Sequence, residues 1–265
     1  MFLQRLNQLA TCRQKLCVGL DPHENIVTKW GLNYDVAGAE TLARQTIEAL
    51  GDLVCAFKPQ SAFFECFGSP GIAALERVLK DIREMGALSI LDVKRGDIGS
   101  TMAAYARAYL GFQAPLSADA ITLSPYCGFE ALRPALDLAK ENDCGVYVLC
   151  RTSNPQGSQV QLKNSEGKSV AQMIVDQANA ENLVDGSGYV GLVIGATHNL
   201  DVDLEGFTGS ILAPGIGAQG GSVSSLSTIF GDRAEQVLAS ASRSILSAGP
   251  GRHDLRRRVL ESLSD

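Results

Sequence analysis

The chain has 265 residues, 45% of them hydrophobic and 20% charged, with a formal net charge of −6, enough for one large domain with a substantial core. Acidic and basic residues are interspersed, which excludes the electrostatic footprint of a nucleic-acid or anionic-membrane binder, so an anionic small molecule would need a local site. No apolar run approaches the ~20 residues of a membrane span, and the N-terminus lacks a signal peptide's apolar stretch, so a cytoplasmic protein is expected.

In chain order, a short amphipathic helix around Leu3, Leu6 and Leu9 precedes a buried strand, Leu16 to Leu20, that ends at Asp21-Pro22. A polar connection to Tyr34 leads into a helix predicted from Val36 to Leu50. The second strand, Leu53 to Phe57, delivers Lys58 ahead of Pro59, and a helix from about Ile72 to Met85 follows. The third strand begins at Leu88 and runs into Asp92-Val93-Lys94-Arg95-Gly96-Asp97-Ile98. Strand side chains alternate faces, so Asp92 and Lys94 share one side while Val93 takes the other. Asp97 stands where a helix N-cap would stand, ahead of a helical run from Thr101 to Phe112.

The same pattern then repeats: a strand from Ala120 to Leu123, a helix from Phe129 to about Glu141, and a strand from Val146 to Cys150. The stretch 151–158, rich in Ser, Asn, Gln and Gly, is too long for an ordinary strand-to-helix loop and is a lid candidate that includes Thr152 and Ser153. A helix from Val170 to Val184 and a sixth strand, Tyr189 to Ile194, follow, and Asn199 to Leu204 fills the next helical place. The seventh strand, Ser210 to Ala213, opens into Pro214-Gly215-Ile216-Gly217-Ala218-Gln219-Gly220-Gly221. After a helix to Phe230, the eighth strand, Gln236 to Ala241, ends at Ser242-Arg243-Ser244, and a helix from Leu255 to Leu263 closes the chain.

Eight strand–helix units at roughly 33 residues each match the length economy of a (β/α)8 TIM barrel, an α/β fold predicted here as a single domain over 1–265. A doubly wound open sheet is the architectural rival, but Asp21-Pro22-His23 stands where its Gly-rich turn would be. The seven cysteines form no C-x-x-C pair, and the three histidines form no ligand pair at helical spacing. Buried reduced thiols, and no metal site, are the expectation.

In such a barrel the C-terminal strand ends converge on one mouth, which brings Asp21, Lys58, Asp92 and Lys94 together with Asp97 nearby. An isolated D-x-K-x-x-D can also be a structural ion pair followed by a cap. Burying an ion pair yields little net stability, however, so charges gathered at strand ends point to chemistry. Lysines held protonated by anionic neighbours serve as general acids or as cations facing a developing negative charge. The glycine loop after the seventh strand lets backbone N–H groups approach an anion, and Arg243 adds a fork of donors, which suits a phosphate. Ser153, Thr152 and Gln219 could hydrogen-bond a polar ring, or could simply make those loops polar.

These residues resemble the orotidine 5′-phosphate decarboxylase family, and specifically its longer bacterial subgroup. The resemblance spans nearly the whole chain through Gly-Leu-Asp-Pro (19–22), Phe-Lys-Pro-Gln (57–60), Asp-Val-Lys-Arg-Gly-Asp-Ile (92–98), Thr-Ser-Asn-Pro (152–155), the 214–221 loop and Ser-Arg-Ser-Ile (242–245). It implies cofactor-independent decarboxylation of orotidine 5′-phosphate to UMP in pyrimidine synthesis. Lys94 would be the proton donor to C6, Asp92 would lie beside the departing carboxylate, and Lys58 would complete the charged array. Asp21 would hold the ribose, Ser153 would contact the pyrimidine, Gln219 and Arg243 would grip the phosphate, and Pro214 would be a further substrate-binding residue. Asp97 and Thr101 would reach into the partner's site, making a homodimer with shared active sites. Ser242 departs from other subgroups, which carry Gly before the phosphate arginine. Two rivals stay open: a Mg²⁺-dependent lyase on the same barrel, resembling hexulose-phosphate synthase or ketogulonate-phosphate decarboxylase, and a non-catalytic barrel that binds a phosphate ligand.

Overall fold

The computed structural model describes residues 1–165, 167–196, 200–215 and 223–264. Eight parallel strands close into a barrel: β1 (Gln14–Leu20), β2 (Val54–Pro59), β3 (Leu88–Arg95), β4 (Ala120–Leu123), β5 (Gly145–Arg151), β6 (Val190–Ile194), β7 (Ile211–Pro214) and β8 (Val237–Ala241). They pair in sequence order, with β8 returning to β1. The helices are α1 (Phe2–Ala10), α2 (Glu24–Lys29), α3 (Val36–Leu50), α4 (Ala62–Glu65), α5 (Gly68–Glu84), α6 (Gly99–Leu110), α7 (Arg133–Glu141), α8 (Ser158–Gln161), α9 (Val170–Leu183), α10 (Val223–Phe230), α11 (Arg243–Leu246) and α12 (Arg252–Ser264).

Alternation along the strands splits the apolar residues into two clusters. One fills the barrel interior with Cys17, Leu88, Ile90, Tyr147, Leu212 and Leu238, and Phe2 and Leu6 of α1 belong to it. The Phe2 ring packs edge-on against Tyr147 at 5.9 Å, so α1 plugs the barrel below the mouth. The other cluster joins the outward residues of the strands to the helices. In α3, Leu42, Ala43, Thr46, Ile47 and Leu50 recur at helical spacing on the buried face, and Asp35 caps its first turn by accepting from the Gly38 N–H.

Several expectations need correction. Asp97 is not an N-cap: Ile98 holds that position, and Asp97 Oδ1 instead accepts from the adjacent Ile98 N–H. No helix forms in 200–204, where the acidic residues have other bonds. The Asp203 N–H donates to Gln172 Oε1, Asp203 Oδ1 accepts from the Glu205 N–H, and Asp201 pairs with Arg151. Short acidic side chains compete in this way with helical backbone bonding. The candidate lid is more ordered than its composition suggests, with a 3₁₀ turn at Pro155–Gly157, the single turn α8 and a small antiparallel hairpin pairing Asn164 with Ser169. Arg243, expected just past the eighth strand, stands there and begins the single turn α11, which the sequence did not announce. The cysteines divide: Cys17, Cys55, Cys144 and Cys150 are buried, whereas Cys12, Cys66 and Cys127 are exposed, and all seven are free thiols.

Candidate active site

The site grows out of the end of β3. Asp92 and Lys94 meet as alternation predicts, with Lys94 Nζ 2.5 Å from Asp92 Oδ1, while Val93 is buried in the outer core. Alternation omits one feature, a bulge. Leu91 pairs with Ile121 and Arg95 with Leu123, so β3 takes four steps where β4 takes two. Lys94 sits within this bulge at φ +45°, a left-handed conformation uncommon for a residue with a Cβ. Bonds on both sides hold it there. The Lys94 N–H donates to Thr122 Oγ1 at 2.9 Å, and the Thr122 hydroxyl donates to Asp92 Oδ1 at 2.8 Å. Beyond it, the Arg95 guanidinium lies over the Tyr105 and Tyr109 rings and donates to Glu65 Oε1 and to the Val93 carbonyl.

The other oxygen of Asp92 is taken as well. Its Oδ2 accepts from Lys58 Nζ at 3.1 Å and from Gln60 Nε2 at 2.8 Å, so two ammonium groups and two neutral donors converge on one buried carboxylate. Burial by itself would favour the neutral acid, but the charges of Lys58 and Lys94, with the bonds from Lys94 and Thr122, hold Asp92 well below the usual carboxylate range. For Lys58, burial pulls the pKa down, yet Asp92 and then Asp21 outweigh it and keep the ammonium protonated well above its ordinary value.

These directions fix the pH behaviour. Asp92 has a folded-state pKa below its unfolded value of about 3.9, so its stabilising contribution is complete above that value and is lost as pH falls towards the folded-state pKa. Lys58 has a raised pKa, so its contribution is complete below about 10.4 and is lost only as pH rises through the higher folded-state value. In urea unfolding, the gap in stability between wild type and Asp92→Asn is therefore expected to stay flat between about pH 5 and 9 and to narrow below about pH 4. A gap that persists unchanged on acidification, with both proteins still folded, would contradict this electrostatic assignment.

A cavity of about 320 Å³ opens over this array. Lys58, Gln60, Asp92, Lys94 and Thr122 form its charged floor, Leu149, Val193 and Leu212 give it an apolar wall, and Thr152, Ser153, Asn154 and Pro214 form its rim. Ser153 reaches the rim because Gly195 directly follows β6: a Cβ there would lie 2.8 Å from the Ser153 backbone nitrogen. Buried Arg151 bonds Asp201 and the Thr152 carbonyl. Gln161 of α8 completes the rim's support, accepting from the Thr152 N–H and donating to Thr152 Oγ1.

The structure thus brings together Lys58, Asp92, Lys94, Ser153 and Pro214. Asp21 stands just behind them at the end of β1, with Oδ1 buried and without a hydrogen-bond partner. A Cβ on Gly19 would lie 2.6 Å from Ser242 Cβ and 3.3 Å from Asp21 Oδ2, which places Asp21 beside the start of α11 and Arg243. Arg243 is exposed. Asp97 and Thr101 do not line the cavity; Asp97 is half-buried, Thr101 is exposed, and Ile98 between them is 64% exposed. Gln219, Gly217, Gly220 and Gly221 lie outside the described residues, and Gly215 leaves β7 at φ +102°.

A family model described as "Orotidine 5'-phosphate decarboxylase / HUMPS family" matches residues 14–257. The orotidine 5'-phosphate decarboxylase of Salinispora arenicola is 48% identical over 267 residues, covering 100% of this chain and 96% of the relative. That of Corynebacterium glutamicum is 46% identical over 269 residues, covering 100% and 97%. The chain belongs to the orotidine 5′-phosphate decarboxylase family. Its barrel also superposes on the crystal structure of an orotidine 5'-phosphate decarboxylase candidate from Streptomyces avermitilis with a TM-score of 0.93 at 44% identity, covering 100% of this chain and 96% of that one.

All ten sequence-predicted site residues, from Asp21 to Arg243, fall inside the stretch matched to the orotidine 5′-phosphate decarboxylase family. Two residues complete the array without having been given a role from the sequence: Gln60, present only as the last residue of the 57–60 motif, and Thr122. Thr122 carried a usable signal as the lone hydroxyl in the apolar strand Ala-Ile-Thr-Leu, where it is 1% exposed. The array is a poor metal site, because both Asp92 oxygens are occupied by cationic or neutral donors. Among the described residues, no three His, Cys, Asp or Glu side chains are grouped to hold a metal ion.

Proposed function

We propose that the barrel mouth decarboxylates orotidine 5′-phosphate to UMP, a step of pyrimidine biosynthesis, by means of the Lys58–Asp92–Lys94 array. One observation carries this reading: a single carboxylate, held ionised by two lysines, sits on the floor of a cavity with an apolar wall in a chain of this family. Loss of CO2 from C6 leaves a carbanion in the ring plane, poorly delocalised, so the protein must supply stabilisation towards the top of the ~8–23 kcal/mol range. Charge arranged in advance can do so. Lys94 faces the developing charge and then gives its proton to C6, and Asp92, bonded to both lysines, fixes where that ammonium stands.

In this reading Asp21 holds the ribose, Ser153 contacts the pyrimidine, Gln219 and Arg243 grip the phosphate, and Pro214 on the cavity rim contacts the substrate. Asp97 and Thr101 serve the partner's site in a homodimer, which accounts for their standing clear of their own cavity beside the exposed Ile98. The family match over 14–257 supports one barrel domain spanning 1–265. No helix among the described residues is long and apolar enough to cross a membrane, in keeping with work in the cytoplasm. A Mg²⁺-dependent lyase would need acidic oxygens free for the ion, and those of Asp92 are taken. A binding barrel without catalysis would leave the array without a purpose.

The test is an absorbance assay with orotidine 5′-phosphate and the purified chain. Loss of the orotate chromophore with formation of UMP is expected, and tight binding without turnover would favour the non-catalytic barrel. For Arg243→Ala, phosphate binding is expected to weaken by about 1.5–3 kcal/mol from the loss of a charge-assisted hydrogen bond. That penalty should nearly vanish for orotidine, which lacks the phosphate. An equal penalty on both substrates would remove Arg243 from the phosphate grip.

A further inference from the structure

The connection between β1 and α3, residues 21–35, is longer than a barrel loop requires, and its contacts run sideways along the mouth. It carries the only tryptophan of the chain, Trp30, which directly follows α2. Trp30 is 7% exposed, and its indole N–H donates to the Leu246 carbonyl at 2.8 Å. Leu246 is the last residue of the single turn α11, whose first residue is Arg243. The neighbouring Lys29 Nζ donates to the Ser247 carbonyl at 2.6 Å. Gly249 completes the socket, since a Cβ there would stand 2.1 Å from Trp30 Cζ2. At the other end of the same connection, His23 packs edge-on against Phe63 of α4, 4.4 Å away.

We infer that this connection is a strut that positions the phosphate arginine, with Trp30 as the positioning residue that holds α11 at the height where Arg243 meets the phosphate. The inference rests on the assignment of Arg243 to the phosphate under the proposed function. The Leu246 carbonyl, which also accepts from the Gly249 N–H at 3.1 Å, takes the indole N–H as a second donor, and the Lys29 ammonium bonds the Ser247 carbonyl at the C-cap, so the turn is held at the end opposite to Arg243. Because Asp21 begins the same connection, the ribose carboxylate and the phosphate arginine are referenced to one rigid segment.

Trp30→Phe keeps an aromatic ring and removes the N–H. With the full chain, KM for orotidine 5′-phosphate is expected to rise about five-fold, the effect of one hydrogen bond of ordinary strength, with kcat little changed. The value of kcat/KM for orotidine should move less than two-fold, a split that general loss of stability would not produce. In the wild type, UMP is expected to change the emission of Trp30 and uridine is not, a readout that stands even where the variant fails to fold. Arg243→Ala is assayed alongside. If it loses the phosphate advantage while Trp30→Phe keeps it, or if UMP and uridine act alike on the emission, the strut is overturned and the phosphate assignment survives. If Arg243→Ala keeps the advantage, both fall together.

Discussion

Lys94→Ala is expected to lower kcat/KM for orotidine 5′-phosphate by at least about 10⁴-fold while leaving the barrel folded. Two losses combine, since a general acid contributes up to ~10⁴ and a preorganised charge at the reacting centre another ~10²–10³. The fold should tolerate the change for three reasons visible in the site. The Lys94 side chain is 46% exposed, so its removal opens no buried void. Asp92 keeps Lys58, Gln60 and Thr122 as donors, so it is not left an unpaired buried charge. Alanine also bears the left-handed backbone at this position no worse than lysine, because the strain belongs to the Cβ that both share. Circular dichroism and thermal melting close to wild type, with no detectable turnover, are the expected pair of results. Turnover near wild type would remove Lys94 from the chemistry.

The second large effect is a rescue. Asp97→Ala alone should be nearly inactive if its carboxylate completes the partner's site, yet a mixture with Lys94→Ala should recover activity once subunits exchange. In a hybrid dimer with a two-fold interface, the site with intact Lys94 receives intact Asp97 from its partner, and the other site loses both. Random pairing makes half the dimers hybrids, so activity should reach roughly a quarter of wild type. Were Asp97 to act within its own chain, every site would lack one group and the mixture would stay as inactive as its components. Exchange confirmed by a tagged subunit, without recovery, would return Asp97 to a local role at the start of α6.

The eight strands were legible because each is a short apolar run ended by a charge, Pro, Gly or Ser, and β4 and α3 carry the predicted boundaries unchanged. Asp92 and Lys94 were legible because two-residue alternation survives across Val93. The bulge was not, since register depends on what β4 offers opposite. The same holds for Gln60, whose amide matters only once β2 stands beside β3. Asp97 misled because its spacing from the helical run suits a cap, whereas its oxygen bonds the adjacent amide instead. The 200–204 segment misled for a related reason: Asp201 and Asp203 take partners on β5 and α9 that no local pattern announces. The Arg151–Gln161 support beneath Ser153 likewise joins a strand end to a turn ten residues later.

The most direct test of the central claim is the initial rate of UMP formation from orotidine 5′-phosphate by the chain after exhaustive dialysis against EDTA, measured with and without added Mg²⁺. An array of two lysines on one carboxylate needs no ion, so the rate should be unchanged by dialysis and by Mg²⁺. A rate that vanishes with EDTA and returns with Mg²⁺ would contradict that account and move the chain to the metal-dependent lyases of the same barrel.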